Sequence, residues 1–266
     1  MLTSRKKQFS PFKRQWVYLY DLLRELVSRE MKLLYKRSFL GVAWTLINPL
    51  LQLAVFVFVF QVILPIDVPQ YSSFVFTGLL VWTWFQSSLF QSAGAIIGNR
   101  ALIRQPGFPN AILPIVTVST GLVHFTFALP VLIIFLLIDG VQLQSVILFL
   151  PVLQIIQFAF TVSLSYFFAA LNVTFRDTQH TLGVLLQLLF YITPIFYAIG
   201  NIPSTYQTLY FANPIVHFVS AYRAILIDGV QPNWFALFWI AMGTLVVLPI
   251  GIKVFQRQSH RFVEEL

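Results

Sequence analysis

Tyr35-Lys-Arg-Ser-Phe-Leu-Gly-Val-Ala-Trp-Thr-Leu-Ile-Asn-Pro49 changes character within three residues. Ten of the seventeen Lys and Arg lie between Arg5 and Arg37, and no charge follows from Phe39 to Leu64. A basic segment abutting a long uncharged apolar run is where a chain leaves water for a bilayer, basic side first. Ser38 is placed to cap the new helix, because its hydroxyl can accept a bond from an orphan N–H of the first turn. Gly41 has no side chain and lets another element come close. Trp44 suits an interfacial anchor and a position inside the helix equally.

The rest of the chain agrees. Its 266 residues are 58% hydrophobic and 10% charged, with a mean hydropathy of +0.80. A soluble domain carries about 25% charged residues. Cysteine is absent and the four histidines are scattered, so neither a disulfide framework nor a metal site is expected. The net charge of +8 sits beside apolar spans, which points to headgroups and topology rather than nucleic acid. The basic N-terminus has no apolar core in its first fifteen residues. No cleavable signal peptide is expected, and the first span serves as the targeting signal.

The expected class is all-α and polytopic. Residues 1–38 form a cytoplasmic basic arm and an amphipathic interface helix. Residues 39–256 form six spans, with 200–233 an outer segment, and 257–266 are a cytoplasmic tail. In the interface helix, Trp16 to Lys36, apolar residues recur at helical spacing, and its charged face suits headgroups or a soluble partner. The spans fall near 39–64, 73–97, 111–138, 146–171, 182–199 and 234–254. Sixteen of the seventeen basic residues then lie on one side, with only Arg223 opposite. The positive-inside rule places both termini in the cytoplasm. Gly200 to Asn233 is too apolar for a free loop and is broken by Asn213-Pro214. It reads as two short re-entrant helices, or as a compact outer loop packed on the span ends.

No phosphate loop of the Gly-x-x-x-x-Gly-Lys-Ser/Thr type, His-Glu-x-x-His or nucleophile elbow is present. No catalytic residue, cofactor or metal ligand is therefore assigned to the chain. The spans carry no Asp, Glu, Lys or Arg in their middles, which argues against ion-coupled transport and leaves energy to another subunit. Aromatic residues make up 17% of the chain and suit lipid, core packing or sugar faces. Gln52, Gln86, Gln91, Gln154, Gln157 and Gln187 lie in or near spans. They suit either a polar guest or bonding between helices.

Lys36 to Pro49, with its basic residue, Leu-Gly, Trp and Pro, resembles the opening of the permease subunits of bacterial polysaccharide ABC exporters, which serve O-antigen, capsule and teichoic-acid export. Asn99-Arg-Ala-Leu-Ile-Arg-Gln-Pro-Gly-Phe-Pro109, Asn172-Val-Thr-Phe-Arg-Asp177, Thr193-Pro-Ile-Phe-Tyr197, Asn213-Pro214 and Tyr222-Arg223 resemble later stretches of that family, in order. The resemblance implies a homodimer of this chain with two copies of a separate ATPase that holds ATP and Mg. It also implies a polyprenyl-diphosphate-linked glycan as substrate and residence in the bacterial inner membrane. On this basis Arg24, Glu25, Arg29, Arg100, Arg104, Pro106, Phe108 and Arg176 are candidates for coupling to the ATPase. Arg29, Lys36, Arg37 and Trp44 are candidates for receiving the glycolipid; topology alone explains the basic residues equally well. The channel and gate candidates are Phe85, Gln86, Phe90, Tyr191, Phe196, Tyr197, Tyr206, Tyr210, Phe211 and Tyr222. A lipid or drug exporter of the same fold, a membrane enzyme acting on lipid-linked sugars and an assembly factor without transport are the competing classes.

Overall fold

A computed structural model describes residues 11–36, 41–259 and 262. Ser38, Arg37 and the first ten residues of the basic arm fall outside them, as does most of the tail. The described residues hold α-helices and short helical turns and no strand. In order they are α1 (Pro11–Tyr35), α2 (Trp44–Val57), α3 (Tyr71–Gly98), α4 (Arg100–Ile103), α5 (Ile112–Ile138), α6 (Leu150–Thr174), α7 (Thr178–Ile192), α8 (Ser204–Phe211), α9 (Pro214–Leu226) and α10 (Trp234–Ser259).

Among the described residues, four stretches are long and apolar enough to cross a membrane: Trp44–Ile63, Ile112–Ile138, Ser145–Thr174 and Trp234–Ser259. The first is α2 continued by a π-helical turn, Phe58–Ile63. Two of the six expected spans differ. Helix α3 has the length, at 28 residues, but Ser, Thr, Gln and Trp lower its hydropathy. It is the hub of the bundle, with Val75, Phe76, Leu79, Val81 and Trp84 buried, and a helix that faces protein need not be as apolar as one that faces lipid. Helix α7 has only 15 residues against the 182–199 expected. Pro194 disfavours helical backbone at the residue before it, and Thr193 is extended, with φ −84° and ψ 131°.

The bundle has two distinct ends. At one, Ile103, Leu113, Tyr166, Val173, Phe255 and Phe262 share a core cluster, and Thr174 bonds to Gln258. Helix α1 docks there through Leu26, which is buried against Ile112 and Val116 with Leu102 and Phe108 beside it. At the other end the Asp139 carboxylate accepts bonds from the Ser73 backbone N–H at 3.0 Å and its hydroxyl at 2.6 Å. That places an anion on the positive N-terminus of α3.

The segment between α7 and α10 is two short helices broken at Asn213-Pro214, as the sequence suggests. Asn213 caps α9 by accepting a bond from the Ile215 N–H, with Pro214 at the first helical position. The two helices are unlike each other. No residue of α8 is buried, whereas α9 is wedged into the core through Ile215, Val216, Phe218, Val219 and Tyr222.

Candidate functional site

The longest-range polar device centres on Arg223, whose guanidinium is buried at 7% exposure. Its Nη1 donates to Pro194 O at 2.7 Å, its Nη2 to Ile195 O at 2.7 Å and to Phe74 O at 3.1 Å, and its Nε to Phe74 O at 3.2 Å. Its charged carbon lies 3.3 Å from the centre of the Phe74 ring, a cation–π contact. The chain is broken after α7, so its carbonyls lack helical partners, and Arg223 supplies them. A Cβ on Gly78 would stand 2.8 Å from Nη2, so the glycine makes room. Asp228 lies just beyond α9; its carboxyl is raised by burial and drawn part of the way back by Arg223.

A cavity of about 350 Å³ opens between α2, α3 and α7. Asn48, Gln52, Gln86 and Gln187 give it four amides, and Trp82, Phe190 and Tyr191 give it aromatic surface. Gln86 accepts from the Trp82 indole N–H. Asn48, Gln52 and Gln187 find no hydrogen-bond partner among the described residues, and all three are exposed. An unpaired amide facing hydrocarbon is costly. Three on one face mark a surface that meets water, a polar guest or another chain. Gln157 serves the other purpose: it is buried and donates to Val81 O at 3.1 Å, tying α6 to α3.

From this cavity a train of rings leads toward the segment between α7 and α10. Phe190 meets Phe56 and Phe196. Phe196 stacks on Phe56 at 5.0 Å and on Phe60 at 5.4 Å. Phe196 then meets Tyr197 edge-on, and Tyr197 meets Tyr210, with their hydroxyls 3.4 Å apart. Sequence patterning did not single out Phe56, Phe60 and Phe190, because apolar aromatics inside spans carry no distinguishing signal.

The sequence-based gate candidates divide. Gln86, Tyr191, Phe196, Tyr197 and Tyr210 belong to the amide cavity or the ring train. Phe90, Tyr206 and Phe211 are exposed. Phe85 and Tyr222 are core residues: Phe85 stacks on Phe160, and Tyr222 is fully buried against Phe125. Neither has a face to offer a passing ligand: Phe85 lies on the core side of α3, and Tyr222 is carried inward because α9 packs into the bundle.

Among the coupling candidates, Arg24, Glu25, Arg29, Arg100, Arg104, Pro106 and Arg176 are exposed. The α1–α5 cluster, which includes Phe108, sets the α4 loop beside α1. Arg29, Lys32 and Lys36 border one groove on α1. Trp44, at 46% exposure, opens α2.

Residues 21–227 match the family described as "ABC-2 type transporter". The chain is 36% identical over 253 residues to an O-antigen export system permease protein RfbA of Myxococcus xanthus, covering 94% of this chain and 97% of that one. It is 31% identical over 250 residues to the protein of the same name from Klebsiella pneumoniae, covering 94% and 96%. A polysialic acid transport protein, KpsM, of Escherichia coli is 26% identical over 246 residues, covering 88% and 92%. A family match that runs from α1 through α9, with relatives similar along almost their whole length, shows that the chain belongs to the ABC-2 type transporter family.

Proposed function

We propose that this chain is the membrane subunit of an ABC exporter for a polyprenyl-diphosphate-linked polysaccharide of O-antigen, capsule or teichoic-acid type. The carrying observation is the α2–α3–α7 surface, where unpartnered amides and aromatic faces lie together without a charge. Neutral amides bond to sugar hydroxyls of many patterns, and aromatic rings stack on the C–H faces of sugars. A wholly apolar guest would leave the amides unpaired. The relatives named for O-antigen and polysialic acid transport support the same substrate class.

In this reading α2, α3, α5, α6, α7 and α10 cross the inner membrane in alternating directions. Helix α1 lies at the cytoplasmic interface, and α8 and α9 re-enter from outside. Two copies face each other across the amide surface and seat two ATPase subunits, which hold ATP and Mg, against α1, the α4 loop and Arg176. Arg29, Lys32 and Lys36 attract the diphosphate.

The test is co-expression with the ATPase encoded beside this chain and measurement of ATP hydrolysis in nanodiscs with lipid-linked glycan. Glycan-stimulated hydrolysis is the expected result. A complex stimulated by apolar drugs and indifferent to glycolipid would overturn the substrate. In the same discs, Gln52→Leu/Gln187→Leu is expected to lower glycan-stimulated hydrolysis severalfold, since each lost hydrogen bond is worth about 1 kcal/mol.

A further inference from the structure

Helix α2 has a second cavity on its other flank. It measures about 410 Å³, within the range of small-ligand pockets, and lies between α2, α3 and α5. Asn48, Pro49 and Thr83 border both cavities, so α2 is the partition between them. This second cavity adds Trp44, Trp84, Ser87, Gln91, Gly121 and His124. These residues lie in the first half of α2, from the middle of α3 onward and in the first half of α5, on the side of the bundle where α1 docks.

Its chemistry selects a ligand class. Among the described residues no Lys, Arg, Asp or Glu lines it, and such a lining disfavours a phosphate or zwitterionic headgroup. Asn48, Thr83 and Gln91 find no hydrogen-bond partner among the described residues, which disfavours an acyl chain. Trp84 is fixed by its indole N–H, which donates to Val118 O at 3.2 Å. A Cβ on Gly121 would come within 2.7 Å of that ring, so the glycine lets the indole form a wall. The exposed Trp44 indole, one hydroxyl and two amides suit one neutral sugar ring, stacked on Trp44 and hydrogen-bonded, with the buried Trp84 as the floor of the cavity.

The cavity also touches α1. His124, on its wall, lies with Nε2 3.1 Å from the Met31 sulfur, and Lys32 is the next residue. Arg29, Lys32 and Lys36 border a groove on that same helix, about 100° or more around its axis from Met31.

We propose that the α2–α3–α5 cavity is a saccharide subsite that holds the lipid-proximal sugar of the substrate while the α1 cations hold its diphosphate. The proposal rests on the glycolipid reading above. Occupancy bears on both the α2 partition and α1.

The test uses the full chain with its ATPase in nanodiscs and a diazirine-bearing dodecyl glucoside as probe, with labelled peptides identified by mass spectrometry. Label is expected at Trp44 and Gln91, competed by lipid-linked glycan and not by phosphatidylglycerol. Gln91→Leu and Thr83→Val are each expected to weaken labelling roughly three- to tenfold. Gln91 is exposed, so its replacement leaves the packing in place. Label spread evenly over lipid-facing helices, including Phe238 and Trp239, overturns the subsite, as does equal competition by phosphatidylglycerol. Free glucose competing as well as the alkyl glucoside overturns the lipid-linked source. Glycolipid-stimulated ATP hydrolysis is read in the same discs. Its absence in the wild-type complex sinks the export reading, whereas normal stimulation without label in the cavity sinks the subsite alone.

Discussion

Arg223 stands apart from the other sixteen basic residues along the chain, and its surroundings explain why it is tolerated. A guanidinium stays charged and must be bonded when buried. Here the partners are carbonyls stranded where α7 stops, so the cation and the broken backbone satisfy each other. Arg223→Ala would leave these carbonyls unpaired and open a void, with an expected loss of about 3 kcal/mol or more. Arg223→Lys keeps the charge but lacks the planar fork that reaches three carbonyls at once, and should fall between. Gly78→Ala should destabilise without removing any polar group, because its methyl displaces Nη2. Thermal unfolding of the purified chain in detergent checks all three, and an Arg223→Ala protein as stable as wild type would show the bonds to be incidental. The sequence marks Arg223 only as a lone cation on the acidic side. Its partners are main-chain atoms at Phe74, Pro194 and Ile195, and main-chain atoms leave no residue-type signature.

At the scale of elements, periodicity and punctuation go far. The amphipathic spacing of Leu22, Leu23, Leu26 and Val27 gives α1, and Asn213-Pro214 gives the start of α9. Two things were not legible. Helix α7 ends short because Pro194 acts on Thr193, yet the apolar run continues to Ile199 and masks the stop. Helix α9 lies deep in the bundle because its partners on α3 and α6 are distant in sequence, and hydropathy reports burial without saying in what. The α1–α5 contact carries a prediction about coupling. Leu26 is 7% exposed and seats α1 on the start of α5, whereas Arg29 points away. Leu26→Asp would bury an unpaired carboxylate at that seam. Detachment of α1 should uncouple ATP hydrolysis from export while the bundle stays folded. Arg29→Glu leaves the seam intact and should weaken only the electrostatic contact, by about 0–1 kcal/mol where the pair is exposed. Parallel ATPase and export assays separate the two. Coupled export in the Leu26→Asp protein would remove α1 from the transmission path.

Across the whole molecule, the two ends differ in charge and construction. Arg24, Arg29, Arg100, Arg104, Arg176 and Arg257 gather at the end where α1 docks, and Asp139 sits at the other on the N-terminus of α3. The chain has no cysteine, so single cysteines at 104, 139 and 257 can be labelled with an impermeant reagent on intact cells. Only the residue-139 site is expected to react; labelling at 104 would invert the orientation. The segment between α7 and α10 completes the molecule. Tyr206 is 59% exposed and Phe211 45%, while Tyr197 and Tyr210 hold hands through their hydroxyls at the end of the ring train. Two such surfaces meeting across a dimer axis would close the outer mouth of a glycan path. The same rings at the headgroup level would instead anchor the segment, and mutation distinguishes the roles. Tyr206→Ala/Phe211→Ala should raise leakage of small solutes, or change glycan export, without loss of folded complex if these rings gate. Anchoring alone predicts lower stability and no leak. Tyr222 supplies the internal control, because it lies in the core and its hydroxyl has no partner. Tyr222→Phe should therefore be nearly silent, and Tyr222→Ala should cost about 3–5 kcal/mol as a large-to-small core change rather than open the mouth. A well-folded Tyr206/Phe211 double variant with normal export and a tight membrane would leave the outer segment as an anchor.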